Sequence, residues 1–232
     1  MLTLFILQLT AHLLADFTFQ SERWCVEKEN RVFSKYHLYH VLVAFALAWL
    51  LSFSVGFWWI ALLIAVLHLS ADVLKSLLYR KNIGRKYLFF IDQSLHVIII
   101  VFALWLYSTT TTVTFSFCIS EKTAFMFFAL VACTKPSNFF IKSFMQIYGI
   151  IPSEADENNA LLKAGRIIGS LERLIGFMLI MYNQFAAVGF IIAAKSILRF
   201  RDSQTAKTEY LLIGTLLSFG IAFLLGIVCK FI

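Results

Sequence analysis

The sequence predicts an all-α membrane protein, a polytopic bundle of about six to eight transmembrane segments. Of its 232 residues, 60% are hydrophobic and only 14% are charged. Several apolar runs approach the ~20 residues that a helix needs to cross a bilayer. The first apolar run, Met1 to Leu14, has no basic residues before it and no small-residue cleavage site. We therefore expect this run to remain as a membrane helix rather than to act as a cleaved signal.

The apolar runs also predict where the segments lie. They place membrane helices at Leu2–Gln20, Tyr36–Phe53, Phe57–Tyr79, Leu88–Tyr107, a pair around Thr123–Ile150, Gly169–Ala194 and Tyr210–Phe231. Proline removes a helical hydrogen bond, so we expect one broken or re-entrant helix near Pro136. We interpret residues 1–232 as a single transmembrane domain, with a four-helix half at 1–107 and a second half at 108–232.

Basic residues gather in two connectors of the first half. The connectors Ser21–Lys35 and Tyr79–Lys86 each carry four lysines or arginines, whereas Ser52–Gly56 carries no charge. Because positive loops are cytoplasmic by preference, we expect the N-terminus outside and both basic connectors inside. This predicts a multi-pass protein of the cell inner membrane. It also accounts for the net charge of +7 without a nucleic-acid partner.

All five histidines lie in or at the edge of the first four predicted helices. Three of them have an aspartate four residues away, in the pairs His12/Asp16, His68/Asp72 and Asp92/His96. Residues four apart share one face of a helix, so each pair presents an imidazole and a carboxylate to the same neighbour. With the expected orientation, all of these side chains fall in the cytoplasmic half of the membrane. An aspartate at the membrane centre costs at least ~2.5 kcal/mol, so a shared inward-facing cavity is expected.

Imidazole and carboxylate together predict a divalent metal ion. Zinc is the first candidate, with manganese or iron as alternatives. Eight donors are available for one ion with orienting carboxylates or for two ions: His12, Asp16, His37, His40, His68, Asp72, Asp92 and His96. The alternative is that these groups form hydrogen-bonded pairs that only hold helices together.

Other polar residues are candidates for substrate chemistry. Glu172 is a candidate general acid or base, and Lys75 a candidate catalytic cation that would neutralise Asp72 or bind an anion. Candidates for substrate binding are Gln20, Asn138, Lys142, Arg166 and Arg173. The alternative is that these residues form structural ion pairs or, where they are basic, anchor the protein at the level of the lipid headgroups.

Several short motifs resemble those of one protein family. They are HLLADFTFQ near the N-terminus, HLSADVLK and DQSLH in the third and fourth helices, and GSLERLIG, AKSILRF and EYLLIGT near the C-terminus. They resemble small prokaryotic membrane proteins catalogued as domain of unknown function 3307, over nearly the whole chain. This resemblance implies the membrane fold and little about activity. A weaker likeness is to bacterial inner-membrane proteins classed as metal-dependent hydrolases.

Three functions fit these patterns. The leading hypothesis is a membrane-embedded hydrolase in which a divalent ion activates water against a phosphoester or lipid-like substrate. The first alternative is a cation or proton transporter that uses the same His/Asp cluster. The second is a non-catalytic sensor or partner-binding protein. The expected partners are the bilayer, an amphiphilic or phosphate-bearing substrate and, in an oligomer, further copies of the chain.

Overall fold

The computed structural model describes residues 1–111, 119–149, 159–199 and 205–232. These residues form α-helices and no strands, which confirms the all-α prediction. The helices are α1 (Leu2–Leu13), α2 (Glu22–Asn30), α3 (Lys35–Leu50), α4 (Trp58–Arg80), α5 (Leu88–Thr110), α6 (Glu121–Ala132), α7 (Lys135–Ile147), α8 (Asn159–Met181), α9 (Phe185–Arg199) and α10 (Thr205–Phe231). The last turn and a half of the first helix, Leu14–Phe19, is a π-helix. A short 3₁₀ turn, Val55–Phe57, precedes α4.

Four helical segments of the described chain are long and apolar enough to cross a membrane, which indicates a membrane protein. They are Leu2–Phe19, Val55–Arg80, Leu88–Thr110 and Leu212–Phe231, and the bent pair α6–α7 would make a fifth. The predicted count of six to eight is therefore not confirmed. Helix α3 has only 16 residues, about 24 Å at 1.5 Å per residue, against a hydrocarbon core of about 30 Å. The single helix predicted for Gly169–Ala194 is divided between α8 and α9, because Asn183 has a left-handed φ of 60° between them.

The break expected near Pro136 is confirmed. Helix α6 ends at Ala132, and α7 begins at Lys135 with the proline in its first turn, where a missing backbone N–H costs nothing. The two helices are bent by 55° at this break.

The chain divides into two compact units, Met1–Phe128 and Ala129–Ile232. In the first unit, α1 packs against α3 and α5, while α4 packs against α3, α5 and α2. A hydrophobic core fills one end of this unit, with Phe57, Ile60, Ala103 and Leu104 among its members. The opposite ends of the same helices carry the histidines and aspartates, so the fold separates an apolar end from a polar end.

Two local features at the polar end were not expected from the sequence. The π-helical turn that contains Asp16 replaces the regular α-helix predicted there; such turns are frequent at functional sites. The connector after it forms α2, which begins where the Ser21 hydroxyl accepts a hydrogen bond from Trp24 N. Helix α2 packs on α3 and α4, and it brings Lys28 against the polar end.

The second unit is built around the packing of α8 against α10. Glycines allow close approach here: a Cβ on Gly226 would lie 2.6 Å from Ile180 Cγ2, and one on Gly176 would lie 3.5 Å from Ala222 Cβ. The guanidinium of Arg173 is 1% exposed. Its side chain donates to the carbonyls of Cys133 and Thr134, which lie at the break between α6 and α7.

Candidate metal centre

The carboxylate of Asp16 lies among three imidazoles at the polar end of the first unit. Its Oδ1 atom is 3.3 Å from His40 Nε2, 3.4 Å from His68 Nε2 and 3.7 Å from His12 Nδ1. Asp16 comes from the π-helical turn, and the histidines come from α3, α4 and α1. Three stretches that are distant in the sequence therefore bring one acidic and three imidazole groups to one point: α1 with its π-helical turn, α3 and α4.

The Nε2 atoms of His40 and His68 are 2.8 Å apart. Together with Asp16 Oδ1 they form a triangle with sides of 2.8, 3.3 and 3.4 Å. Ligand atoms at about 2.0–2.1 Å from one ion lie roughly 2.8–3.4 Å from their neighbours in octahedral or tetrahedral geometry. The triangle matches this spacing to a few tenths of an ångström, so these His and Asp groups can hold a metal ion.

Gln93 fixes which ring nitrogen of His12 carries the proton. Its Nε2 amide donates to Asp16 Oδ2 at 3.3 Å and to Asp92 Oδ2 at 3.2 Å. Its Oε1 atom is therefore the acceptor that faces His12 Nε2, at 3.2 Å. Because His12 Nε2 must carry the proton in that contact, its Nδ1 atom presents a lone pair towards Asp16.

His96 is oriented in a similar way by the backbone of its own helix. Its Nδ1 atom donates to the Asp92 carbonyl at 2.8 Å, so that a neutral ring presents the lone pair on Nε2. The ring lies 4.1 Å from the ring of His68 and 4.9 Å from that of His12, centroid to centroid. Three groups of the described residues have ligand atoms within 4.8 Å of one another: His12/His68/His96, Asp16/His40/His68 and Asp16/Asp92/His96.

Two lysines neutralise the other aspartates. Lys28 of α2 forms a buried ion pair with Asp72, whose Oδ2 atom is also 3.6 Å from His40 Nε2. Lys75 pairs with Asp92 at 2.7 Å rather than with Asp72, and its side chain remains 38% exposed. Asp16, whose side chain is 10% exposed, differs from Asp72 and Asp92 because its ionic contacts within the described residues are to imidazoles alone.

Gln20 lies beside this cluster. With its amide oriented so that both atoms are satisfied, its nitrogen donates to the Asp16 carbonyl at 3.2 Å and its oxygen accepts from Lys28 Nζ at 3.0 Å. The side chain thus links the end of the π-helical turn to α2.

His37 takes a different position from the other histidines. Its Nδ1 atom accepts from the Ser34 backbone N–H at 3.1 Å, and its Nε2 atom is 3.3 Å from Ser76 Oγ. Both ring nitrogens are used in capping α3 and joining it to α4. Within the described residues, His37 is in none of the three potential metal-binding groups, and we give it no place in the proposed site.

A small cavity borders the imidazoles on the apolar side. About 20 Å³ is open to the centre of a water molecule, enough for one water. The lining includes Gln8, His12, His68 and His96 together with small alanines of α1 and α3. The cavity supplies space for a water next to the cluster and no room there for a lipid-sized molecule.

The candidate residues of the second unit form their own contacts. Glu172 is ion-paired with Lys195. Arg173 donates to Asn138 Oδ1 at 2.6 Å, while Asn138 donates to Ser170 Oγ at 3.1 Å. Arg173 is bound to protein acceptors around the α6–α7 break, which is a structural role. The side chains of Lys142 and Arg166 are exposed.

Sequence reasoning did not identify Lys28 and Gln93 as parts of this cluster. Lys28 stands among other basic residues of a connector, where nothing local distinguishes it from a topology signal. Gln93 had a detectable signal, because an amide between Asp92 and His96 on an apolar helix requires a polar partner.

Comparison with known proteins places the chain in a family without assigning an activity. Residues 4–126 match the family described as "Protein of unknown function (DUF3307)". No curated protein and no solved structure matches the chain. The matched region contains every residue of the His/Asp cluster, from His12 to His96. Since the match covers more than half of the sequence, this chain belongs to the DUF3307 family.

Proposed function

We propose that this protein is a membrane-embedded hydrolase that uses a divalent metal ion held by Asp16, His40 and His68. The observation that carries the proposal is the triangle of their ligand atoms, with sides of 2.8, 3.3 and 3.4 Å. His12 Nδ1, 3.7 Å from Asp16 Oδ1, is the fourth protein donor within reach. Zinc suits this set of imidazoles and one carboxylate, and manganese or iron are the alternatives.

The charges around the cluster support a bound cation. Asp72 and Asp92 have ammonium partners in Lys28 and Lys75. The negative charge of Asp16 is surrounded by imidazoles and the Gln93 amide and has no ammonium partner among the described residues. A buried charge without such compensation is strongly destabilising. A divalent ion would compensate this charge and would satisfy the lone pairs of several histidines at once.

Hydrolysis is the chemistry that such an ion best supplies here. As a Lewis acid, a bound divalent ion makes a neighbouring water nucleophilic at neutral pH. The cavity beside His12 and His68 has room for one water. Lys75, with its half-exposed ammonium, lies where an anionic group approaching from outside the cluster would be attracted. A phosphoester, including a lipid headgroup, therefore fits better than a neutral substrate, and the inner membrane is the compartment we propose.

Transport of a cation is the second candidate, and the polar groups of the apolar end do not favour it. Gln8 donates to the Ala48 carbonyl at 2.9 Å, Thr10 to the Ile6 carbonyl at 2.8 Å, and Ser52 to the Trp49 carbonyl at 2.6 Å. These side chains satisfy backbone acceptors, whereas a pathway across the membrane would present such groups to the passing ion.

The test begins with metal analysis of the full-length protein purified in detergent, followed by zinc titration. We expect one tightly bound zinc in the wild type and loss of that zinc in Asp16→Asn. Glu27→Gln is the matched control, at a carboxylate that is 39% exposed and lies outside the cluster. Zinc-dependent hydrolysis of bis(p-nitrophenyl) phosphate should fall by roughly 100-fold or more in Asp16→Asn. Absence of bound metal would overturn the proposal. Zinc flux in reconstituted vesicles, without hydrolysis of this ester or of phospholipid, would show that the protein is a transporter and not a hydrolase.

A further inference from the structure

Besides His40 Nδ1, three buried polar atoms of the polar end make no hydrogen bond within the described part of the chain: Asp16 Oδ1, Asp92 Oδ1 and His96 Nε2. His96 is 1% exposed and Asp92 is 4% exposed, so water does not satisfy them from outside. A buried polar atom that lacks a partner costs stability, and each such atom calls for an explanation. The three residues form one of the groups whose ligand atoms lie within 4.8 Å of one another.

Hydrogen bonds on the far sides of two of these groups orient them for coordination. The Asp92 carbonyl holds His96 Nδ1 at 2.8 Å, which leaves Nε2 as the lone-pair nitrogen. Lys75 and Gln93 both bind Asp92 Oδ2, at 2.7 and 3.2 Å, so Oδ1 is the oxygen that remains. This arrangement of outer partners is typical of metal ligands, whose second atoms are held by hydrogen bonds.

We propose that the centre binds a second divalent cation through Asp92, His96 and Asp16. Asp16 then bridges two ions, with the first ion on His40 and His68. This inference rests on the proposed function, since the first ion is part of the same centre. It deepens that function, because hydrolases with two ions bind the attacking and the departing oxygen of a phosphoester at once.

Charge makes the second ion dependent on an anion. The three aspartates and the two lysines of the cluster leave one negative charge, which two divalent ions convert into three positive charges. Such an excess is unfavourable in a buried site unless an anionic ligand reduces it. A phosphate group between the ions would do so, and the substrate class that this centre selects is therefore an anionic phosphoester.

The test uses Mn²⁺ as the probe and inorganic phosphate as the anion, with the full-length protein in detergent. We expect two Mn²⁺ per chain at saturation and the low-temperature electron paramagnetic resonance spectrum of a spin-coupled pair. His96→Gln should lose one Mn²⁺ and the coupling while it keeps the other ion. His37→Gln is the matched control, because it removes a buried imidazole of the same unit from outside the cluster, and it should keep both ions.

Each other outcome contradicts a defined part of the inference. One Mn²⁺ per chain, two uncoupled Mn²⁺, or an unchanged pair in His96→Gln would overturn the second site and leave the proposed function intact. No bound Mn²⁺ in the wild type would overturn both. If His96→Gln fails to elute as a folded protein, Asp92→Asn replaces it, and the same loss of one ion and of the coupling is expected.

Discussion

The Nε2 atoms of His40 and His68 lie 2.8 Å apart, and both rings are almost completely buried. Two neutral imidazoles that meet in this way share one proton in a hydrogen bond, or both direct lone pairs at a cation. Asp16 Oδ1 stands 3.3 and 3.4 Å from the same two atoms and makes no hydrogen bond to any described residue. The second arrangement accounts for all three atoms, and it leads to the predictions below.

Replacing either histidine of this pair should remove the first ion. We expect His40→Ala and His68→Ala each to weaken zinc binding by more than about 100-fold, because loss of a direct ligand exceeds the 10–100-fold effect of an outer partner. The double variant should lose the same single zinc as either single variant, since both residues bind one ion. Competition with a zinc-sensitive dye measures the affinity and the number of bound ions. Loss of one zinc in each single variant and of two in the double variant would contradict a shared ion.

Gln93 should act on the metal indirectly. Gln93→Leu removes the acceptor of His12 Nε2 and a donor to Asp16, and we expect zinc affinity to fall by about 10–100-fold. Gln8→Leu is the matched control, because it removes a buried glutamine that donates to the Ala48 carbonyl of the same unit. That variant should cost about 1–3 kcal/mol of stability and leave zinc affinity unchanged. Equal zinc affinity in both variants would refute the orienting role of Gln93.

Lys28 should stabilise the metal-free protein and oppose metal binding. Lys28→Met leaves Asp72 as a buried charge without its ammonium, a change that typically costs about 3–5 kcal/mol. Thermal unfolding in detergent should therefore occur at lower temperature without zinc, and zinc should raise that temperature more than it does in the wild type. Adding Asp72→Asn should recover most of the lost stability.

A surface ion pair on the same helix serves as the control for Lys28. Arg31 is 71% exposed where it contacts Glu27, and Arg31→Met should change stability by less than about 1 kcal/mol. A loss in Arg31→Met as large as that in Lys28→Met would show that the effect belongs to α2 in general.

The orientation in the membrane is a prediction that cysteine labelling can test. We expect Lys81→Cys, in the basic connector after α4, to react with an impermeant maleimide only after the cells are opened. Val55→Cys, 80% exposed before α4, should react in intact cells. Both variants require a background in which the native cysteines are serines. Reaction of Lys81→Cys in intact cells would reverse the orientation and move the His/Asp cluster to the outer half of the membrane.

The sequence by itself determined the helical class, the break near Pro136 and which histidines and aspartates share a helix face. Apolar runs require helices because a membrane offers backbone groups no other hydrogen-bond partners. Pro136 predicted the break between α6 and α7 because a proline cannot continue a helical ladder. The four-residue spacing of His12 and Asp16 placed them on one face, and their Nδ1 and Oδ1 atoms are 3.7 Å apart. All of these inferences depend on geometry within a few residues.

Only the tertiary structure decided which polar groups meet. His37 and His40 are three residues apart on α3, yet His40 faces Asp16 and His68 while His37 bonds to Ser34 and Ser76. Likewise, Lys75 pairs with Asp92 of the next helix, and Lys28 reaches Asp72 across 44 residues. Local periodicity specifies the face of a helix, but the neighbour of that face depends on how distant apolar surfaces pack. The contacts that form the candidate site therefore follow from the packing of α1 to α5 as a whole.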